Sequence, residues 1–265
     1  MTATLWLPAL IKSITTALLV VCASALAEAL GPFWGALVAS LPVSAGPAYV
    51  FLAMQHDSEF IAASALSSAA ANAATGLFLI VYATLARRKS LWQGLGVAVI
   101  AWLTASLAIR QVAWTPATVM LLNLAAYGSG FILCRSVEPA SVAPAATRRR
   151  RSFDMPVRAI AVALFVTAVV VASSMLGPEA TGIAAVFPIS LISLIVILRP
   201  RIGGAASAVL AASALRAMLG FGVMLLTLHL AIPLWGTATA LLVALLVSVA
   251  WSGALLVLRR RSHPG

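Results

Sequence analysis

The chain has 265 residues, of which 63% are hydrophobic and 9% charged, with a formal net charge of +11. A globular chain carries roughly 45–50% apolar and about 25% charged residues, so too few charges remain to coat a water-soluble body and the solvent must be lipid. The composition excludes a soluble domain, and the positive charge reads first as membrane topology rather than as nucleic-acid affinity.

A spanning helix needs about 20 mainly apolar residues. Taken in chain order between charged or Pro/Gly breaks, the sequence predicts nine spans: 7–29, 33–54, 60–86, 91–109, 114–134, 158–176, 180–198, 204–230 and 233–258. The first resembles a signal peptide at Ala23-Ser24-Ala25, but its apolar run starts near Leu5, ahead of Lys12, and a copy of the region recurs mid-chain; a retained helix is expected. Pro42 and Pro47 interrupt the second span, and after the fifth comes the only long linker, 135–157, rich in Ala, Pro and Ser. Cys22 and Cys134 lie in apolar runs without a Cys-x-x-Cys pairing, so neither a disulfide framework nor a metal site is expected.

Nine spans put the termini on opposite sides, and the basic residues choose between them. Fourteen of the seventeen fall on one side: Arg87, Arg88, Lys89, Arg135, Arg148 to Arg151, Arg158, Arg199, Arg201 and Arg259 to Arg261. The other side has Lys12 and Arg110, and Arg216 lies inside a span. The positive-inside rule then predicts a multi-pass inner-membrane protein of bacterial type, N-terminus outside and C-terminus cytoplasmic. Arg148, Arg149, Arg150 and Arg151 are expected to meet anionic lipid head groups, at about 1 kcal/mol per basic residue. No nucleic-acid partner is expected, because only Phe153 interleaves with these arginines.

The sequence also repeats itself. Leu30-Gly31-Pro32 recurs as Leu176-Gly177-Pro178, and Leu41-Pro42-Val43-Ser44 as Phe187-Pro188-Ile189-Ser190, both offset by 146. Ile61 to Leu66 recurs as Leu210 to Leu215 at an offset of 149. The expectation is a duplication: a four-helix unit at 1–110, a connecting helix at 111–134, the basic linker 135–157, a second four-helix unit at 158–258 and a tail at 259–265. An odd number of spans per unit inverts the second copy, and the loop charges agree, with 55–59 acidic and 199–203 basic. Inverted repeats are common in secondary transporters.

Each copy resembles the small GlpM-like bacterial inner-membrane proteins. The residues that carry the resemblance are Gly35 to Pro42 with Ala62 to Leu66, and Gly182 to Pro188 with Ala211 to Leu215. It implies a fused pair of four-helix units with an added helix, and no defined chemistry.

Polar groups at lipid depth are costly, so each is a candidate. Arg216, near the middle of span eight, reads as a fixed cation for an anionic substrate group, the alternative being an arginine paired with carbonyls or snorkelling toward an interface. It sits on a ridge of Gly204, Ala208, Ala212 and Gly220, whose small residues admit a neighbouring helix. Span three has a polar ridge of Ser64, Ser68, Asn72 and Gly76, flanked by Ser67 and Thr75; at the offset of 149 Ser67 matches Arg216, so both are expected to face one central cavity. Interhelical hydrogen bonding is the alternative for this ridge. Pro42 with Ser44 and Pro188 with Ser190 break spans two and seven at matching positions, a pointer to a binding site built from half-helix ends. Glu28 and His229, at span edges, are the candidates for proton coupling.

No phosphate loop, H-E-x-x-H or paired Cys is present, so no catalytic residue, cofactor or enzymatic activity is expected. The predicted fold is an all-α polytopic bundle. The predicted function is a small secondary transporter or exporter of an anionic or zwitterionic metabolite or lipid-linked group. The competing reading is a non-transporting membrane subunit or assembly factor of an envelope complex.

Overall fold

The computed structural model describes residues 45–137 and 154–262. Among them every element is helical: α1 (Ala45–Ala53), α2 (Ser58–Leu85), α3 (Leu91–Arg110), α4 (Pro116–Leu133), α5 (Asp154–Ala185) and α6 (Ile189–Ser262). The predicted span 7–29, the first part of 33–54, Glu28, Pro42, Ser44 and the Arg148–Arg151 linker lie outside the described residues.

Side-chain caps start the helices of the first half. Asp57 accepts a hydrogen bond from the Phe60 amide at the head of α2, and Ser90 and Thr115 form capping boxes with Gln93 and Thr118 at the heads of α3 and α4. Each side chain satisfies an amide that the first turn leaves without a helical acceptor. The second half turns differently. Gly177 (φ 74°, ψ 171°) interrupts α5, and Gly203 (φ 81°, ψ 172°) and Gly236 (φ 75°, ψ 165°) interrupt α6. That backbone region is open essentially to glycine alone. The two long elements are therefore five helices, 154–176, 178–185, 189–202, 204–235 and 237–262, joined at single glycines and, at 186–188, by three residues.

The span 180–198 is divided at residues 186–188, at the break expected from Pro188, which has no amide to continue the helix. Two other expectations are adjusted. The boundary expected at Pro233 falls at Gly236 instead: proline keeps φ helical, whereas a glycine at positive φ redirects the chain. The segment 199–203, read as a basic loop, is the last turn of a helix that passes through Pro200 and stops at Gly203.

Four stretches of the described residues are long and apolar enough to cross a membrane: Ser58–Leu85, Leu91–Arg110, Pro116–Leu133 and Ala159–Leu255, the last containing the breaks just described. Their outer faces are apolar. Val97, Ile100, Leu103 and Leu107 on α3, Met120, Leu121 and Leu124 on α4, and Leu242, Leu245 and Leu246 on α6 are all exposed. The molecule is a membrane-embedded helical bundle whose greasy side chains point outward as well as inward.

The centre of the bundle is α2, in which Ser68 to Gly76 are buried without interruption. The run is almost entirely Ala, Ser, Thr, Gly and one Asn, and small side chains are what let helices approach closely without a hydrophobic driving force between them. Against it lies the segment 204–235. Ala62 O meets His229 Nδ1 at 2.8 Å, Met218 O accepts from Asn72 Nδ2 at 3.0 Å, and Tyr82 Oη meets Ser207 Oγ at 3.1 Å. A Cβ added at Gly204 would fall 2.2 Å from Ala86 O. Numbering falls along one helix as it rises along the other, so the two run antiparallel in contact from residue 62 to 86, roughly 36 Å at 1.5 Å per residue. That is about the thickness of a bilayer's hydrocarbon core.

Candidate functional site

A cavity of about 500 Å³ opens between the end of α4, the segment 204–235 and the segment 237–262. Phe131, Leu219, Trp251 and Leu255 supply apolar wall; among the described lining residues Arg135 and Arg216 are the charged ones and none is an acid. Its size falls within the range of roughly 300–1,000 Å³ usual for small-molecule sites, as does its lining of apolar surface with a few polar groups.

The helix positions Arg216 by packing one face and leaving the other open. Leu215 beside it is wholly buried, while Arg216 itself is exposed. Trp251 fixes the local geometry: its indole N–H donates to the Arg216 carbonyl at 3.0 Å, and its ring occupies the space a side chain at Gly220 would need, 2.1 Å from an added Cβ. The guanidinium is left uncommitted, for neither Arg216 nor Arg135 has a side-chain hydrogen bond or ion pair with a described residue. Guanidinium stays protonated at any relevant pH and offers five donors. At lipid depth an arginine costs about +2.5–3.5 kcal/mol on insertion scales, which an anion in the cavity would offset.

The other predicted residues that are described do not gather at this cavity. Ser67 is half-buried on α2 and does not line it, and because α2 and 204–235 are in direct contact the two ridges enclose no common space. The contact of Asn72 with Met218 has the offset of 146, by which Arg216 corresponds to Ala70 rather than to Ser67. Asn72 is fully buried, donating to Asn123 Oδ1 and to the Met218 carbonyl; its own Oδ1 has no partner among the described residues. Asn123 in turn donates to the Ala69 carbonyl at 2.8 Å, and Tyr127 Oη to the Asn72 carbonyl at 2.9 Å. This cluster ties α4 to α2. His229 is engaged by the Ala62 carbonyl.

The proline break at 186–188 is enclosed by other side chains. Thr75 Oγ1 donates to the Val186 carbonyl at 3.4 Å and accepts from the Trp102 indole N–H at 3.2 Å. The Trp102 ring meets Phe187 edge-on at 5.1 Å between centroids. Pro188 is buried, and the Ser190 hydroxyl is buried without a described partner. Ser64 and Ser68 donate to the carbonyls of Pro178 and Gly182, about two turns and one turn earlier. The polar ridge of α2 thus ties the segment 178–186 in place.

A residue absent from the sequence-level candidates is a firmly anchored cation. Arg199, 9% exposed, donates to the carbonyls of Ala86 (2.8 Å), Ser90 (3.2 Å) and Lys89, and its guanidinium lies 5.8 Å from the centre of the Tyr82 ring. These carbonyls lie at or just past the end of α2, where helical acceptors run out and the dipole favours a positive charge. The signal was available, since an arginine directly after Ile197-Leu198 is well placed to reach a helix end. It was hidden because topology already accounts for a basic residue there.

Compared with known proteins, the chain matches no family model, no curated protein and no solved structure.

Proposed function

We propose that the protein is a small secondary transporter or exporter of an anionic or zwitterionic solute or lipid-linked group, with Arg216 as the fixed cation of its binding site. The observation that carries this reading is a guanidinium with no partner among the described residues, lining a cavity whose described walls are mostly apolar and include no acid. The proposed architecture is nine spans in two inverted units in an inner membrane, C-terminus cytoplasmic, each unit a relative in plan of the GlpM-like proteins. Several contacts support the inversion. Shifting Ser58 and Leu91, the first residues of α2 and α3, by 146 gives positions 204 and 237, which follow the Gly203 and Gly236 breaks. Asn72 touches Met218, its own counterpart under that shift. The contact of Tyr82 with Ser207 is mirrored, within a residue, by that of Ala62 with His229. A twofold axis perpendicular to two antiparallel helices produces such pairs.

Two measurements test the reading. Vesicles containing the wild-type protein should exchange some members of a panel of carboxylates, phosphate esters and fluorescent phospholipids faster than empty vesicles. Arg216→Ala should abolish that exchange while membrane insertion persists; unchanged exchange rules out the assigned role. Reporters fused after Asp57 and after Arg201 should report opposite sides, and the same side for both removes the inversion.

One observation favours the second reading, a non-transporting membrane subunit. Asp57, Glu59 and Glu179 are all exposed at helix ends, so no described carboxylate lies at a depth suited to proton coupling. A partner protein that co-purifies in fixed stoichiometry, together with no flux, would decide for it.

A further inference from the structure

Arg216 and Arg135 differ in depth. Arg135 follows the end of α4, toward the same end of the bundle as Arg87, Arg88, Lys89 and Arg199, whereas Arg216 lies roughly 18 Å along its helix from the Gly204–Ala86 contact at that end. The cavity joins the two levels. Along the segment 204–235 it is lined from Val209 to Leu219, and along 237–262 from Leu255 to Trp251. It is therefore a groove of about 15 Å, carrying cations at both levels and apolar side chains along its length. Phe131, partly exposed on the last turn of α4, lines it at its apolar edge.

A small hydrated anion would gain the charge but leave the apolar length unfilled, and a neutral lipid would fill the length but leave two guanidinium groups without counter-charge. An amphiphile with an anionic head satisfies both. Guanidinium binds phosphate through paired N–H donors, and the Trp251 ring with Leu219 and Leu255 offers contact for an acyl chain. We propose that this groove is a binding site for an anionic phospholipid, its phosphate held between Arg135 and Arg216 and one chain lying against Trp251. The inference deepens the proposed site and rests on Arg216 being its cation, but it does not require transport.

The test uses the full-length protein in an uncharged detergent, titrated with long-chain phosphatidic acid, phosphatidylcholine of the same chains, or inorganic phosphate. Bound lipid is counted by native mass spectrometry and stability is followed by thermal melting. Phosphatidic acid should bind at one site at least tenfold more tightly than phosphatidylcholine and raise the melting temperature, while inorganic phosphate at the same concentration should do neither. Arg216→Ala should lower the affinity at least tenfold, and replacing Arg148 to Arg151 together by Gln should leave this site intact. Equal binding of the two lipids by the wild-type protein overturns the proposal without reference to any variant. So does stabilisation by inorganic phosphate alone, or a site lost only with the linker arginines. Tight lipid binding without flux in vesicles would remove the transport reading and leave the lipid site standing; flux of soluble anions without lipid binding would do the reverse.

Discussion

Asp57 and Gly203 occupy matching positions in the two halves, as do Ser90 and Gly236, each immediately before a helix and each pair 146 apart. Their ψ angles nearly coincide, at 172° and 172° for the first pair and 166° and 165° for the second, while φ changes sign from −71° to 81° and from −63° to 75°. The first half enters its helices through a loop and caps the first turn with a side chain. The second half runs one helix directly into the next and turns on a residue without a side chain. Matching helix registers are thus reached by different backbone chemistry. Asp57 and Ser90 are exposed, where a capping side chain is also solvated. At Gly204 the backbone meets Ala86 O so closely that no side chain fits.

The largest expected effect tests that close approach. Gly204→Ala places a methyl 2.2 Å from a carbonyl oxygen and should cost about 3 kcal/mol of stability, whereas alanine at the matching exposed Ser58 should be nearly silent in thermal melts. Next comes the cap that has no counterpart, because shifting Arg199 by 146 gives Ala53. Arg199→Ala leaves the carbonyls of Ala86, Lys89 and Ser90 without that donor and should cost about 2 kcal/mol. Arg199→Lys should recover only part of it, since one ammonium cannot span the same acceptors. A smaller and more pointed test swaps the matched pair. Gly203→Asp forces an aspartate to positive φ and should cost about 1–2 kcal/mol, while Asp57→Gly should cost only about a few tenths. Equal losses in the two directions would break the comparison. The smallest effect belongs to the packing ridge: Ser64→Ala removes its bond to the Pro178 carbonyl and should cost about 0.6 kcal/mol.

Much of the helical plan was legible because lipid imposes long apolar runs. The predicted spans 60–86, 91–109 and 114–134 compare with α2, α3 and α4 within a few residues. The offset of 146, first visible in Gly-Pro and Pro-x-Ser spacings, reappears in the helix starts at 204 and 237. Less legible was which polar side chain does what. Asn72, Arg199 and Arg216 all read as a polar group in or beside an apolar run, yet one binds α4, one caps α2 and one lines a groove. Ser67 and Ser68 are neighbours, but only Ser68 is wholly buried with its hydroxyl on a carbonyl of another helix.

Composition, hydropathy and charge by themselves determined that this chain lives in a membrane as a helical bundle, because only internally bonded helices can shelter backbone amides from lipid over such lengths. Only the tertiary structure decided that α2 and 204–235 lie in contact with no space between them, that Arg199 is bound to carbonyls, and that Arg216 is not. The physical reason is that a polar side chain's role is defined by its partners, and those of Arg199 and of the α2 contact with 204–235 lie more than a hundred positions away in sequence.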